Sequence, residues 1–179
     1  MKNESSIRDI IISALMIALG ILLPMAFHAF GLGSTFLPMH IPVLIAGYLL
    51  PVHFSIIVGA VTPFLSSILT GMPPFFPIMP YMCFELAAYG AAVSFIRKRL
   101  FAEKPMANVY ISLIGSMIFG RIVAGLIVWI LVLFFSAKLP GPVAFITGAV
   151  ASGLPGIIIQ LVLIPPLMVL LRKARVINQ

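Results

Sequence analysis

Six apolar runs follow one another along this chain, and the stretches between them are too short to fold into a domain of their own. Charge is correspondingly scarce. Only 8% of the 179 residues are Asp, Glu, Lys or Arg, and 62% are hydrophobic. A soluble domain carries about a quarter charged residues. A water-facing surface cannot be built from so few, so the runs read as membrane-spanning helices of about 20 residues each. The expected fold class is an all-α integral membrane protein with six transmembrane helices, forming a single membrane domain over residues 1–179.

The runs place helices at about 7–30, 39–50, 52–69, 81–96, 108–136 and 143–171. The first is too long for the core of a secretory signal peptide and lacks a clear cleavage site, so it reads as a retained helix. "GLGST" at 31–35 is a turn signal, Pro51 breaks the chain, and "TGMPPFFPIMP" at 70–80 is too rich in proline for regular helix. Pro155, Pro165 and Pro166 are expected to kink or break the last helix.

The net charge of +7 invites a nucleic-acid reading, but the basic residues sit at the borders of the apolar runs, as membrane topology demands. Lys2 and Arg8 precede the first run, Arg97, Lys98, Arg99 and Lys104 follow the fourth, and Arg172, Lys173 and Arg175 follow the sixth. Six crossings put all of these on one side. Only Lys138 lies in an opposite loop, and Arg121 lies within a helix. The positive-inside rule makes that side, and both termini, cytoplasmic. The connections at 31–37, 70–77 and 137–142 then face outward. They are apolar for loops, so they either fold over something or lie in the membrane interface. A single cysteine, Cys83, excludes an internal disulfide.

Ionisable groups inside a bilayer are costly and face the bundle interior or a cavity. Two fall inside helices: Glu85, about one turn in from the outer end of the fourth run, and Arg121, about 20 Å along the fifth at 1.5 Å per residue. Their depths match. They form a buried ion pair pinning the two helices, or line an outward-facing polar cavity, or both. His40 sits in "PMHIPV", where Pro38 and Pro42 suit a helix start, since first-turn amides have no partner to lose. It either anchors at the interface or lines a pocket. His28 lies at a similar depth, whereas His53 falls at the cytoplasmic turn. Thr62, Ser66, Ser67, Thr70, Tyr81 and Tyr89 are the other polar groups of the outer half, and Ser and Thr in such helices often bond to their own backbone. Trp129 suits an interface belt. Two small-residue stripes suggest close helix contacts: Ala14 and Ala18 in the inner half of the first run, and Ser116, Gly120 and Ala124 on the fifth.

The sequence carries no Walker A motif, no hydrolase triad, no zinc-ligand spacing and no evident inverted repeat. It therefore has no means of using ATP, and no cofactor is expected. A membrane enzyme using Glu85 and a histidine as acid and base, a ligand-free assembly subunit and a self-sufficient secondary transporter remain as alternative classes.

The stretches "SALMIALGILLP" (13–24), "FLPMHIPVLIAGYLLP" (36–51), "LSSILTGMPP" (65–74), "FELAAYG" (84–90) and "SMIFGRIVAG" (116–125) resemble the substrate-binding S components of energy-coupling factor (ECF) transporters. The resemblance implies a non-enzymatic, multi-pass protein of a prokaryotic cell membrane that binds a vitamin, a vitamin precursor or a metal ion near its outer face. His40, Glu85, Arg121, Tyr81, Tyr89, Ser66 and Thr70 are then the candidate substrate-binding residues, closed over by the outward loops. Ala14 and Ala18 would dock onto the coupling helices of a membrane partner, the T component, which carries two ATPase subunits. A metal-transporting branch would present a histidine-rich N-terminal segment. "MKNESSIRD" contains no histidine, which favours an organic ligand. Pantothenate, a cobalamin precursor, a pyrimidine or pyridoxine-like vitamin and folate all stay open.

Overall fold

The computed structural model describes residues 2–29, 31, 33–99 and 105–173. Among them the order of elements is α1 (Lys2–His28), α2 (Gly33–Phe36), α3 (His40–Leu49), α4 (Val52–Thr70), α5 (Ile78–Arg99), α6 (Pro105–Phe135) and α7 (Pro142–Lys173), with no strand. Phe30, Leu32 and residues 100–104 and 174–179 lie outside the described residues, and with them part of the basic loop and tail expected from the sequence.

Five helices, α1, α4, α5, α6 and α7, are long and apolar enough to cross a membrane. The second expected helix, at about 39–50, is present as α3 but is too short for a full span. It has ten residues and covers about 15 Å, half of a bilayer's hydrocarbon core. A short helix, α2, precedes it where the sequence suggested only a turn. The physical reason lies in residues 37–39. Leu37 adopts a left-handed backbone (φ 49°), and Pro38 has no amide to donate. The helix therefore restarts at His40, whose amide donates to Leu37 O at 3.1 Å.

Other boundaries shift outward through proline. Pro105 and Pro142 are the first residues of α6 and α7, and Pro80 lies in the first turn of α5. The missing amide costs nothing at these positions. In α7 the helix assignment runs through Pro155, Pro165 and Pro166 rather than breaking. At the other end of a helix, α4 stops at Gly71, whose φ of 72° lets its amide turn back to Ser67 O at 3.0 Å.

Apolar side chains point both ways, as expected of a protein solvated by lipid. Leu44, Leu50, Val58, Leu86, Leu113 and Ile164 are fully buried between helices. Ile11, Leu15, Phe84, Trp129 and Val162 face outward. Small residues set the tightest approach, between α4 and α5. A methyl at Gly59 would run into Leu86 O, and one at Gly90 would lie 2.6 Å from Ser55 O. Backbones that close leave no room for a side chain.

The bundle has two chemically different ends. At one, Ser94 donates to Leu50 O (3.0 Å), Tyr48 to Val109 O (2.7 Å) and Asn108 Nδ2 to Arg97 O (3.0 Å). The ends of α3 and α5 and the start of α6 therefore share one level, where Arg97 and Arg172 are near enough for their charges to act on each other. At the other end lie the top of α1, the 37–40 segment, the 72–74 loop and the first turns of α5 and α7. They surround a cavity.

Candidate functional site: a charged cluster in the wall of an apolar cavity

The cavity holds about 290 Å³. Its wall is mostly apolar: Pro24, Leu37, Pro38, Met39, Met72, Pro73, Pro74, Ile78, Met82, Phe145 and Ala149, with Tyr81, His28 and Ser152 contributing polar tips. Tyr81 stands edge-on to Phe145 with ring centres 4.9 Å apart, making an aromatic corner between α5 and α7.

The charge is concentrated at one place. Arg121 Nη1 lies 2.6 Å from Glu85 Oε1, and His40 Nε2 lies 3.7 Å from the same oxygen. All three side chains line the cavity, yet Glu85 is only 1% exposed, His40 3% and Arg121 8%. Three elements meet here for local reasons. α3 begins at His40, so the imidazole projects from a helix start. Glu85 stands two turns into α5. Gly120, just before Arg121, brings α6 against α5 so closely that a methyl there would lie 2.8 Å from the Tyr89 ring. The ring of Tyr89, one turn beyond Glu85, supports His40 edge-on at 5.2 Å.

A buried ion pair needs further hydrogen bonds to offset desolvation, and this one is under-supplied. Among the described residues Arg121 Nε and Nη2 and both His40 nitrogens are buried without a hydrogen-bond partner. The cluster therefore has hydrogen-bonding capacity left for a further polar group.

The sequence-chosen residues separate into four groups. His40, Glu85, Arg121 and Tyr81 line the cavity. Tyr89 lies behind His40. Ser66 and Thr70 do not line it, because their hydroxyls are used locally: Ser66 donates to Met72 O at 2.6 Å and Thr70 to Ser66 O at 2.8 Å. With Ser67, which donates to Pro73 O at 2.6 Å, they brace the loop that forms one cavity wall. Ala14 and Ala18 are far from the cavity and exposed on α1, whereas Ser116, Gly120 and Ala124 are buried within the bundle. His53 is exposed in the first turn of α4. Gln160, not singled out from the sequence, is 1% exposed and donates to Leu37 O at 3.5 Å. Its signal was available: a lone amide in the apolar run "IIIQLVLI" is costly in lipid unless it bonds something. Among the described residues no group of three His, Cys, Asp or Glu stands together to hold a metal ion.

Five helices long and apolar enough to cross a membrane, packed around a charge-bearing cavity near one end, define a multi-pass membrane protein. The family model of the ECF transporter substrate-specific component matches residues 8–168, and the chain belongs to that family. Its members are substrate-binding subunits of transporters, not enzymes. No curated protein and no solved structure matches the chain.

Proposed function

We propose that the cavity is the high-affinity site for a vitamin or vitamin precursor, which the protein delivers inward in company with a T component and two ATPase subunits. The buried His40–Glu85–Arg121 cluster in the cavity wall carries this reading. An assembly subunit has no use for such a costly arrangement beside an open space. Family membership and the absence of any nucleotide motif supply the rest. The residues proposed to touch substrate are His40, Glu85, Arg121 and Tyr81, with Tyr89, Ser66 and Thr70 holding the site in shape.

In this reading residues 1–179 make a single domain in a prokaryotic cell membrane. The chain crosses six times, with α2 and α3 together making the second crossing. The basic end at Arg97 and Arg172 faces the cytoplasm with both termini, and the cavity faces out. The exposed Ala14 and Ala18 meet the T component.

The test is uptake in proteoliposomes. The protein alone is expected to retain a co-purified small molecule, identified by mass spectrometry, without transporting it. Adding a T component and two ATPases is expected to make uptake depend on ATP. Uptake by the protein alone would instead establish a secondary transporter.

A further inference from the structure

On the reading of the cavity as the substrate site, its polar cluster defines what kind of molecule fits. Arg121 carries five N–H donors in a planar fork. One arm, Nη1, faces Glu85. The Nε and Nη2 donors project from the other edge as a parallel pair, and among the described residues both are buried without a partner. His40 adds two more unpartnered nitrogens in the same wall. The one carboxylate here, Glu85, has a single oxygen within reach of both neighbours, at 2.6 and 3.7 Å. Against the Arg121 donors the same cluster leaves one carboxylate oxygen, Glu85 Oε1, without a hydrogen bond, so unpartnered donors outnumber it, and a buried donor left unmade is destabilising.

We propose that the substrate bears one carboxylate, which docks on the Nε/Nη2 edge of Arg121 with help from His40. The rest of the substrate is an uncharged apolar or aromatic body lying among Met39, Met72, Ile78, Met82, Tyr81 and Phe145. Carboxylate geometry matches a guanidinium edge in two parallel bonds. Charge count selects among anions. Glu85 already neutralises Arg121, so a monoanion adds one negative charge to a neutral pair, whereas a phosphate dianion adds two beside the Glu85 carboxylate. A cationic substrate would have to compete with the Arg121 guanidinium, 2.6 Å away, for Glu85 Oε1. Away from this cluster the wall is mostly apolar, with His28, Tyr81 and Ser152 as its polar tips.

Three probes of one shape test this: phenylbutyrate, phenylbutyramide and phenylbutylamine, each titrated at millimolar concentrations into the detergent-purified full chain with binding read by ligand-observed NMR. The acid is expected to bind about tenfold tighter than the amide, and the amine weakest, which is the scale of one charge-assisted bidentate contact. Arg121→Lys, which keeps the charge and loses the fork, is expected to remove most of the acid's advantage. The paired change Glu85→Gln with Arg121→Gln, which buries no lone charge, is expected to remove all of it. Thermal unfolding close to that of the unmodified protein should show that the fold persists in both. Where a variant fails to fold, the rank order in the unmodified protein decides. Equal binding of acid and amide overturns the carboxylate assignment and leaves the cavity standing as a binding site. Tightest binding of the amine overturns it in favour of Glu85 as anchor. Binding of none of the three overturns the reading of the cavity as a substrate site, and the carboxylate with it.

Discussion

Arg121 and Glu85 come from helices that run in opposite directions, yet Arg121 Nη1 and Glu85 Oε1 meet at 2.6 Å in the wall of the cavity. The pair ties α5 to α6 and charges the binding site at once. The two roles predict different responses to mutation. Glu85→Ala leaves the Arg121 guanidinium buried without a counter-ion, a loss of about 3–5 kcal/mol in comparable pairs. Glu85→Gln with Arg121→Gln leaves two neutral amides and is expected to cost much less. Thermal unfolding in detergent compares them. A double variant no more stable than Glu85→Ala would mean that charge compensation is not what the pair contributes.

The contact between α4 and α5 makes a sharper packing prediction. Gly59→Ala drives a methyl into the Leu86 backbone, which has no rotamer to yield, so a loss of about 1–3 kcal/mol is expected. Gly148→Ala on α7 meets nothing within 4 Å and is expected to leave stability unchanged or raise it by about 0.5–1 kcal/mol, since glycine disfavours helix. Similar melting temperatures for the two variants would contradict the packing described.

How much of this was readable from residues alone depends on what each residue needs. The helices were legible because lipid imposes long uncharged runs. The meeting of Glu85 and Arg121 was legible because their depths follow from a fixed rise per residue. Ser66 and Thr70 show the limit: spacing put them in the outer half, but nothing in the sequence says whether a short hydroxyl turns to a ligand or to a nearby carbonyl, and here it turns to carbonyls at 66 and 72. The start of the second helix near His40 was legible from Pro38 and Pro42, whereas the short α2 before it was hidden, since it ends at one left-handed residue, Leu37, which is not a type that favours that conformation. Phe145 and Ser152, which line the cavity from α7, had no local signal, since their role comes only from how α7 packs on the rest.

The 72–74 loop should depend on the hydroxyls beneath it. Ser66→Ala with Ser67→Ala removes two bonds of 2.6 Å to Met72 O and Pro73 O, each contributing about 1 kcal/mol. Limited proteolysis of the purified protein is expected to cut within 70–77 faster in this variant. Substrate should slow the cutting in the unmodified chain, because the loop forms a wall of the cavity. Identical digestion of all samples would count against a loop coupled to the site.

Gln160 holds the segment between α2 and α3 from the adjacent α7, donating to Leu37 O at 3.5 Å. Gln160→Leu keeps the volume and removes the donor. Leu37 O retains the His40 amide, so the expected loss is small, about 0.5–1.5 kcal/mol. It should appear locally, as faster hydrogen exchange at 35–40 with α4 and α5 unchanged. Unaltered exchange there would remove Gln160 from the account of the site.

Ala14 and Ala18 separate binding from transport. They lie four residues apart, about one turn, and both are exposed, with Ile11 and Leu15 exposed beside them. Their small side chains leave a shallow groove on the outer surface of α1, away from the cavity, which touches α1 only at Pro24 and His28. A partner helix approaches such a groove closely, and bulky side chains hold it off. The stripe on α6 is a control of the opposite kind, since Ser116, Gly120 and Ala124 are buried within the bundle. Ala14→Trp with Ala18→Trp is therefore expected to leave thermal stability and substrate affinity nearly intact, while abolishing ATP-dependent uptake and co-purification with the T component. Gly120→Trp should instead collapse stability and binding together, because its side chain would displace Tyr89. If the double tryptophan variant still assembled and transported, the docking face would have to be sought elsewhere on the bundle.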